Sequence, residues 1–233
     1  MKRLIQPEIL DHLSPDDPRV FHARKDLRLI NALMNHARIL RSSIFPQLNM
    51  GHSLRIVEIG SGDGALAYEV FKKWGKLPAG GRLDFVDKAG SLSSQVKRDL
   101  GELGWEVNEF EDDVFHWIEN SPDAYDLCFA SLFLHHFDEK ELKLLFHHLS
   151  RKIERFICIE PRRDRFGLLG ALGLRLLGCD PVTLHDAKVS VRAGFHHQEL
   201  SRIWNQSVSA RWQLKERRAG LFSHFFSASS TAT

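Results

Sequence analysis

With 233 residues, 43% of them hydrophobic, the chain can bury a full core, and its length suits one domain with elaborations. Its 32 basic and 30 acidic residues leave a net charge of +2, so bulk charge points to no nucleic-acid partner. Cys128 and Cys158 lie in apolar runs and Cys179 follows a glycine, a usage that fits packing in a reducing, cytoplasmic setting better than a disulfide framework. The opening "MKRLIQPEILDHLSPDDP" has no uninterrupted apolar core, so no signal peptide is expected, and the longest greasy run, at 166–178, is too short for a bilayer span and carries Arg175.

In chain order, residues 18–45 space Phe21, Leu27, Ile30, Leu33, Met34, Ala37, Leu40 and Ile44 at threes and fours, which predicts a helix started by "SPDDP" and stopped at Pro46. "LRIVEIG" reads as a buried strand and "GALAYEVFKKWG" as the helix after it. "GRLDFVDKAG" and "LSSQVKRDLGELG" repeat the unit, followed by the strand "WEVNEF", a helical turn "VFHWIENS" and the strand "YDLCFASLFL". Asp138 and Glu141 form a capping box for the helix "EKELKLLFHHLSRKI", and "RFICIEP" is a fifth strand. The alternation predicts an α/β fold with a mostly parallel sheet covered on both faces. After Pro161 the rhythm breaks into an insert at 162–192, before the helix "HHQELSRIWNQS". "ARWQLKERR" and "GLFSHFFSAS" then form an antiparallel hairpin turned at Ala219 and Gly220, with a frayed tail "SSTAT".

The first strand runs into Gly60, Gly62 and Gly64, at the switch point where open parallel sheets bind their ligands. Gly60, Gly62 and Ala65 also satisfy the dinucleotide spacing G-x-G-x-x-A. Two carboxylates separate the readings. Glu58 ends the strand and Asp63 sits where a helix N-terminus would otherwise receive a pyrophosphate, and an anion there disfavours a phosphate ligand. S-adenosylmethionine (SAM) brings an ammonium and a sulfonium, which acidic groups suit.

"VEIGSGDG" resembles the first motif of class I SAM-dependent methyltransferases, and further stations of that family follow in order over 54–161. The resemblance implies a Rossmann-like fold: a seven-stranded, mostly parallel sheet with a C-terminal antiparallel hairpin, a helical N-terminal extension (1–50), and a methyltransferase domain (51–233) carrying a substrate lid at 162–192. It also implies Asp87 in "LDFVDKA" as the ribose carboxylate, with Lys88 beside it. In "FEDDVFHW", Asp113, ahead of Asp112, would receive the adenine amino group next to Val114. Ser131 and His136 in "YDLCFASLFLHHF" would flank the cofactor, and Glu58, Gly60, Ser61, Gly62, Asp63 and Gly64 would cradle its remainder. "DLRLINALMNHARIL" and "TLHDAKVSVRAGF" resemble small-molecule methyltransferases associated with type III polyketide synthases, which implies a phenolic or quinol acceptor. A nucleic-acid or protein methyltransferase, or a non-catalytic SAM or dinucleotide binder, stays open as an alternative. "RRDR" and "KERR" are short basic clusters, and no N-P-P-Y-type motif follows the fourth strand.

Methyl transfer to a phenol, whose pKa is near ~10, calls for a base at neutral pH, and histidine is the natural one. Among 13 histidines, His185, with Asp186 to orient it in the roofing insert, is the first expectation. His135, at the carboxyl end of the fourth strand, is the second, and His136 follows with its ring expected toward the helix layer. His147 with His148, and His196 with His197, lack metal-ligand partners at recognisable spacing, so no metal is expected. The run 166–178 reads as a core helix, as an apolar lid over a hydrophobic acceptor, or as a peripheral membrane contact.

Overall fold

The computed structural model describes the chain apart from residues 15, 16, 49, 50, 77–79, 122, 123, 210, 232 and 233. Its seven strands are β1 (Leu54–Ile59), β2 (Gly81–Asp87), β3 (Trp105–Glu111), β4 (Leu127–Ser131), β5 (Arg155–Pro161), β6 (Trp212–Ala219) and β7 (Ser223–Ser230). They form one sheet in the order β3-β2-β1-β4-β5-β7-β6. The first five are mutually parallel, and β7 runs antiparallel to both β5 and β6. This is the predicted mostly parallel sheet with its terminal hairpin. Ala219 still pairs with Ser223, so the turn is residues 220–222 and Gly220 carries its positive φ of 70°.

Helices α1 (Pro18–Leu33), α2 (His36–Ile44), α3 (Ala65–Phe71), α4 (Ser94–Glu102), α5 (Val114–Asn120), α6 (Glu139–Leu149), α7 (Arg165–Gly173), α8 (Pro181–Ala193) and α9 (Glu199–Ser207) complete the frame. Two apolar clusters sandwich the sheet. One gathers Phe146, Phe156, Trp204 and Phe226, and the other Phe71, Phe85, Phe129 and Phe225. Leu40, Ile44 and Leu48 belong to the second cluster, so the N-terminal extension shares the core of the domain that follows it.

The single helix expected over 18–45 is two. Asn35 takes φ 55°, a left-handed conformation its short amide side chain tolerates, and the chain turns there. The break lets α2 bury His36, Leu40 and Ile44 while α1 lies across the carboxyl edge of the sheet with its outer face exposed. Asp17 caps α1 through Arg19 N at 2.8 Å with Pro18 in its first turn, while Pro15 and Asp16 of "SPDDP" lie outside the described residues. β4 stops at Ser131 because Leu132 has φ 54°. The capping box of α6 is formed as expected, Asp138 accepting from Lys140 N and Glu141 N. In the tail, Ser229 and Ser230 are β7 residues and Thr231 Oγ1 donates to Arg211 O at 2.8 Å, so they are ordered where fraying was expected; Ala232 and Thr233 lie outside the described residues. The insert is α7, a short 3-10 turn (Leu174–Leu177) and α8. Among the described residues, no helix is long and apolar enough to cross a membrane.

Candidate active site

A cavity of about 1290 Å³ opens at the carboxyl ends of β1, β2, β4 and β5. Compact ligand sites usually enclose roughly 300–1,000 Å³, so this one has room for two molecules side by side. Its first half is the glycine turn. Gly60, Gly62 and Gly64 have φ of 65°, 55° and 73°, which glycine adopts without steric cost. They divide the labour. A Cβ on Gly60 would lie 2.1 Å from Phe133 Cδ2, and one on Gly64 2.5 Å from Leu92 Cδ1, so both are needed for close packing. A Cβ on Gly62 would meet no atom within 4 Å among the described residues, although Gly62 lines the cavity. That open side is where a ligand can lie on the backbone.

The carboxylates surround this turn. Asp87, at the end of β2, accepts from Gly62 N at 2.8 Å and from Ala89 N at 2.9 Å, which fixes the loop's shape. Asp63 accepts from Ala65 N at 3.1 Å and stands 3.4 Å from the Arg28 guanidinium of α1. Glu58 is buried with Oε2 lacking any partner among the described residues, and burial, then Asp63 and Asp87, push its carboxyl well above the usual range. Asp113 caps α5 through Phe115 N at 2.8 Å and pairs with Lys88 Nζ at 2.7 Å. Burial opposes ionisation of Asp113, but the Lys88 bond and the backbone donors outweigh it and hold the group below its ordinary value. Asp112 instead holds His116, at 2.8 Å. Ser131 Oγ sits 3.3 Å from His36 Nδ1. Of the residues expected at the cofactor, Glu58, Gly60, Ser61, Gly62, Asp63, Asp87, Lys88, Asp113, Val114, Ser131 and His136 all line the cavity. Gly64 does not: its α-carbon faces Leu92, Phe85 and Val96.

The second half lies under α1, α7 and α8 and is mostly apolar, with Leu27, Leu33, Leu169, Leu177 and Phe222 on its walls. One wall is polar. His135 and His136 stand on a 3-10 turn after β4. Glu160 of β5 is fully buried and accepts from Phe133 N, Leu134 N and His135 N at 3.1, 2.9 and 3.3 Å, which fixes that turn. It also faces His135 Nδ1 at 2.8 Å. The other ring nitrogen, Nε2, faces Glu8 at 3.3 Å, and His136 Nδ1 faces Asp11 at 3.5 Å. Burial alone would lower the His135 pKa, but the two carboxylates more than offset it and raise it to about 9.

Glu8 and Asp11 belong to an N-terminal strap that crosses this half of the cavity. Arg3 Nε donates to Ala193 O at 2.7 Å with its guanidinium 4.4 Å over the Phe195 ring, and Leu4 N donates to Arg192 O at 3.1 Å. Ile9 N and Leu10 N donate to the Asp186 carboxylate at 2.8 and 3.0 Å, while Glu8 also accepts from Ser190. These contacts set the two residues expected at the base apart. His185 does pair with Asp186, at 2.9 Å, but its side chain is 52% exposed and is absent from the cavity wall, while Asp186 lines the wall and anchors the strap. The i, i+1 spacing on α8 points the two side chains in different directions. Glu8, Asp11, Glu160 and Ser190 were not anticipated from sequence. The one local hint was the pair of carboxylates in "PEILD", in a segment with no helical or strand periodicity.

No protein-family model matches the chain, and no curated protein matches it by sequence. Solved structures do share its fold. Magnesium protoporphyrin IX methyltransferase from Synechocystis PCC 6803, with bound SAH, superposes with a TM-score of 0.53 at 16% identity over 85% of this chain and 83% of that one. The pyocyanin biosynthetic protein PhzM gives 0.59 at 16% identity over 95% of this chain, and an O-methyltransferase family protein from Burkholderia thailandensis gives 0.61 at 14% over 96%. This chain spans only 60% and 62% of those two. The architecture is thus the Rossmann-like one of SAM-dependent methyltransferases, with a helical N-terminal region and an insert after β5.

Proposed function

We propose that this chain is a SAM-dependent methyltransferase that methylates a hydrophobic small molecule, at a phenolic or quinol oxygen. The observation that carries the proposal is one continuous cavity joining the open side of Gly62 and the unpartnered Glu58 Oε2 to an apolar chamber walled by His135 and His136. The residues fit the cofactor. Asp63 and Asp87 beside the glycine turn disfavour a pyrophosphate, and a cationic ligand would relieve the burial and like-charge crowding that hold the Glu58 carboxyl above its usual range.

When bound, SAM supplies a methyl group on a positively charged sulfur. The chain's own contribution is alignment, exclusion of water and handling of the acceptor proton. Asp87 is placed to exchange its bond to Gly62 N for ribose hydroxyls, and Lys88 with Asp113 marks the adenine end. α7 with the 3-10 turn after it, α1 and the strap cover the acceptor chamber. The His135–His136 wall, rather than His185, is the site of acceptor activation. We propose the phenolic or quinol class because the chamber is mostly apolar and its two histidines are gathered on one wall, which suits an aromatic body with a polar edge.

The test is a mass-spectrometric screen for SAM-dependent products one methyl heavier on phenolic lipids and quinols, run beside calorimetric titration with SAM and NAD. Asp87→Ala should weaken SAM binding tenfold or more, because charge-assisted hydrogen bonds contribute about 1.5–3 kcal/mol each. Unchanged SAM affinity in folded Asp87→Ala, or NAD binding in preference to SAM, defeats the assignment.

A further inference from the structure

We infer that Glu8, His135 and His136 bind a divalent first-row transition-metal ion at the acceptor wall. A carboxylate oxygen of Glu8, a ring nitrogen of His135 and a ring nitrogen of His136 all lie within 4.8 Å of one another, and all three residues line the cavity. Two imidazoles and one carboxylate form a donor set that suits zinc, manganese or iron better than calcium or magnesium, which take oxygen ligands.

Three further observations point to an ion. The first is the set of distances. A charge-assisted hydrogen bond between imidazolium and carboxylate spans about 2.7–2.9 Å. The outward-facing bond, His135 Nδ1 to Glu160, obeys this at 2.8 Å. On the cavity side, His135 Nε2 to Glu8 is 3.3 Å. Two ligands on one tetrahedral ion at about 2.0–2.2 Å stand roughly 3.4 Å apart. The His135–Glu8 spacing is that of two ligands around an ion.

The second is the support behind His135. A metal-binding histidine commonly gives its other ring N–H to a carboxylate, which fixes the tautomer and aims the free nitrogen. Glu160 does this from full burial, held by three backbone N–H groups. The third is charge. The carboxylates of Glu8, Asp11 and Glu160 converge on this wall, with Arg3 reaching it from the strap through Leu134 O and His135 O. A dication between Glu8 and the histidines would take the place of the proton that these carboxylates otherwise hold on His135.

Such an ion would keep coordination positions facing the chamber, where a hydroxyl oxygen could bind and lose its proton to water. The O–CH3 bond would then form as the S–CH3 bond breaks, leaving a neutral thioether. This role rests on the methyltransferase proposal, whereas ion binding does not. Glu8 lies on the strap, so the ion would also fasten the strap over the acceptor.

The test is titration of the chelator-treated, untagged full-length chain with Zn²⁺ by calorimetry and with Co²⁺ by its visible ligand-field bands, without SAM or acceptor. One equivalent should bind, and Glu8→Gln and His136→Ala should each weaken it at least tenfold while retaining the wild-type circular dichroism spectrum. His147→Ala, on the outer face of α6, should bind like wild type. Absence of stoichiometric binding, or binding equally strong in Glu8→Gln and His136→Ala, overturns the inference. Methyl transfer by the chelated chain at an unchanged rate removes the ion from the reaction while leaving the methyltransferase reading intact.

Discussion

Gly62 offers a clean perturbation of the cofactor half, because its cost to the fold can be measured at a second position. Gly62→Ala forces an L-residue to φ 55°, and Gly178→Ala does the same at 73°. Neither new methyl meets any atom within 4 Å among the described residues, so each substitution carries only the left-handed backbone penalty, about 1–2 kcal/mol. For a chain of this size that lowers Tm by roughly 2–8 °C. The two differ in what their open space is for. Gly62 lines the cavity and Gly178 does not. The Gly62 methyl should therefore occupy ligand volume and weaken SAM at least tenfold, about 1.4 kcal/mol, while Gly178→Ala leaves affinity unchanged. Differential scanning fluorimetry and SAM calorimetry on the pair read both effects. Matched losses of Tm with equal SAM affinity would show that the open side of Gly62 is not the ligand face.

The lid and the buried core give further expectations. Leu169 of α7 is 61% exposed and lines the cavity, so Leu169→Asp should fold normally, raise the acceptor KM several-fold and leave the SAM Kd alone; parallel changes in both constants would remove the lid role. His36 is buried between Asn31 Oδ1 at 2.8 Å and Ser223 Oγ at 2.9 Å, and burial lowers its pKa from 6.5 to about 4 despite Glu160. Between those values the unfolded chain binds a proton that the native one refuses. This contribution is therefore complete above pH 6.5 and declines toward pH 4, by up to about 1.4 kcal/mol per pH unit. Urea midpoints at pH 7 and pH 4.5 should fall less in His36→Gln than in wild type. An identical fall would mean that His36 titrates normally.

What the sequence disclosed is what local chemistry encodes. The strand-helix alternation, the Asp138–Glu141 box and the glycine turn each depend on neighbours within a few residues, and each stands where the pattern placed it. The misses share a different physical origin. One left-handed residue at Asn35 redirects a helix without disturbing the spacing of apolar residues on either side, so periodicity runs through the break unmarked. His185 and Asp186 looked like a base and its orienting partner, and they do pair, but helix geometry decides which one faces the cavity.

The strap shows the limit most sharply, because its partners are chosen by the fold rather than by the segment. Glu8 meets His135 across 127 residues, and Ile9 meets Asp186 across 177. Nothing in "PEILD" has the period of a helix or a strand, since the segment buries no stripe of its own and is held by hydrogen bonds to groups that the turn after β4 and α8 present. Its order is borrowed from the sheet, and so is its chemistry. A carboxylate that would be a solvated surface group in the isolated segment becomes, against a histidine fixed by buried Glu160, part of a polar wall in a mostly apolar chamber. The histidine wall thus draws two of its carboxylates, Glu8 and Asp11, from the strap, while the glycine turn and Asp87 are held by bonds within β1, β2 and their turns.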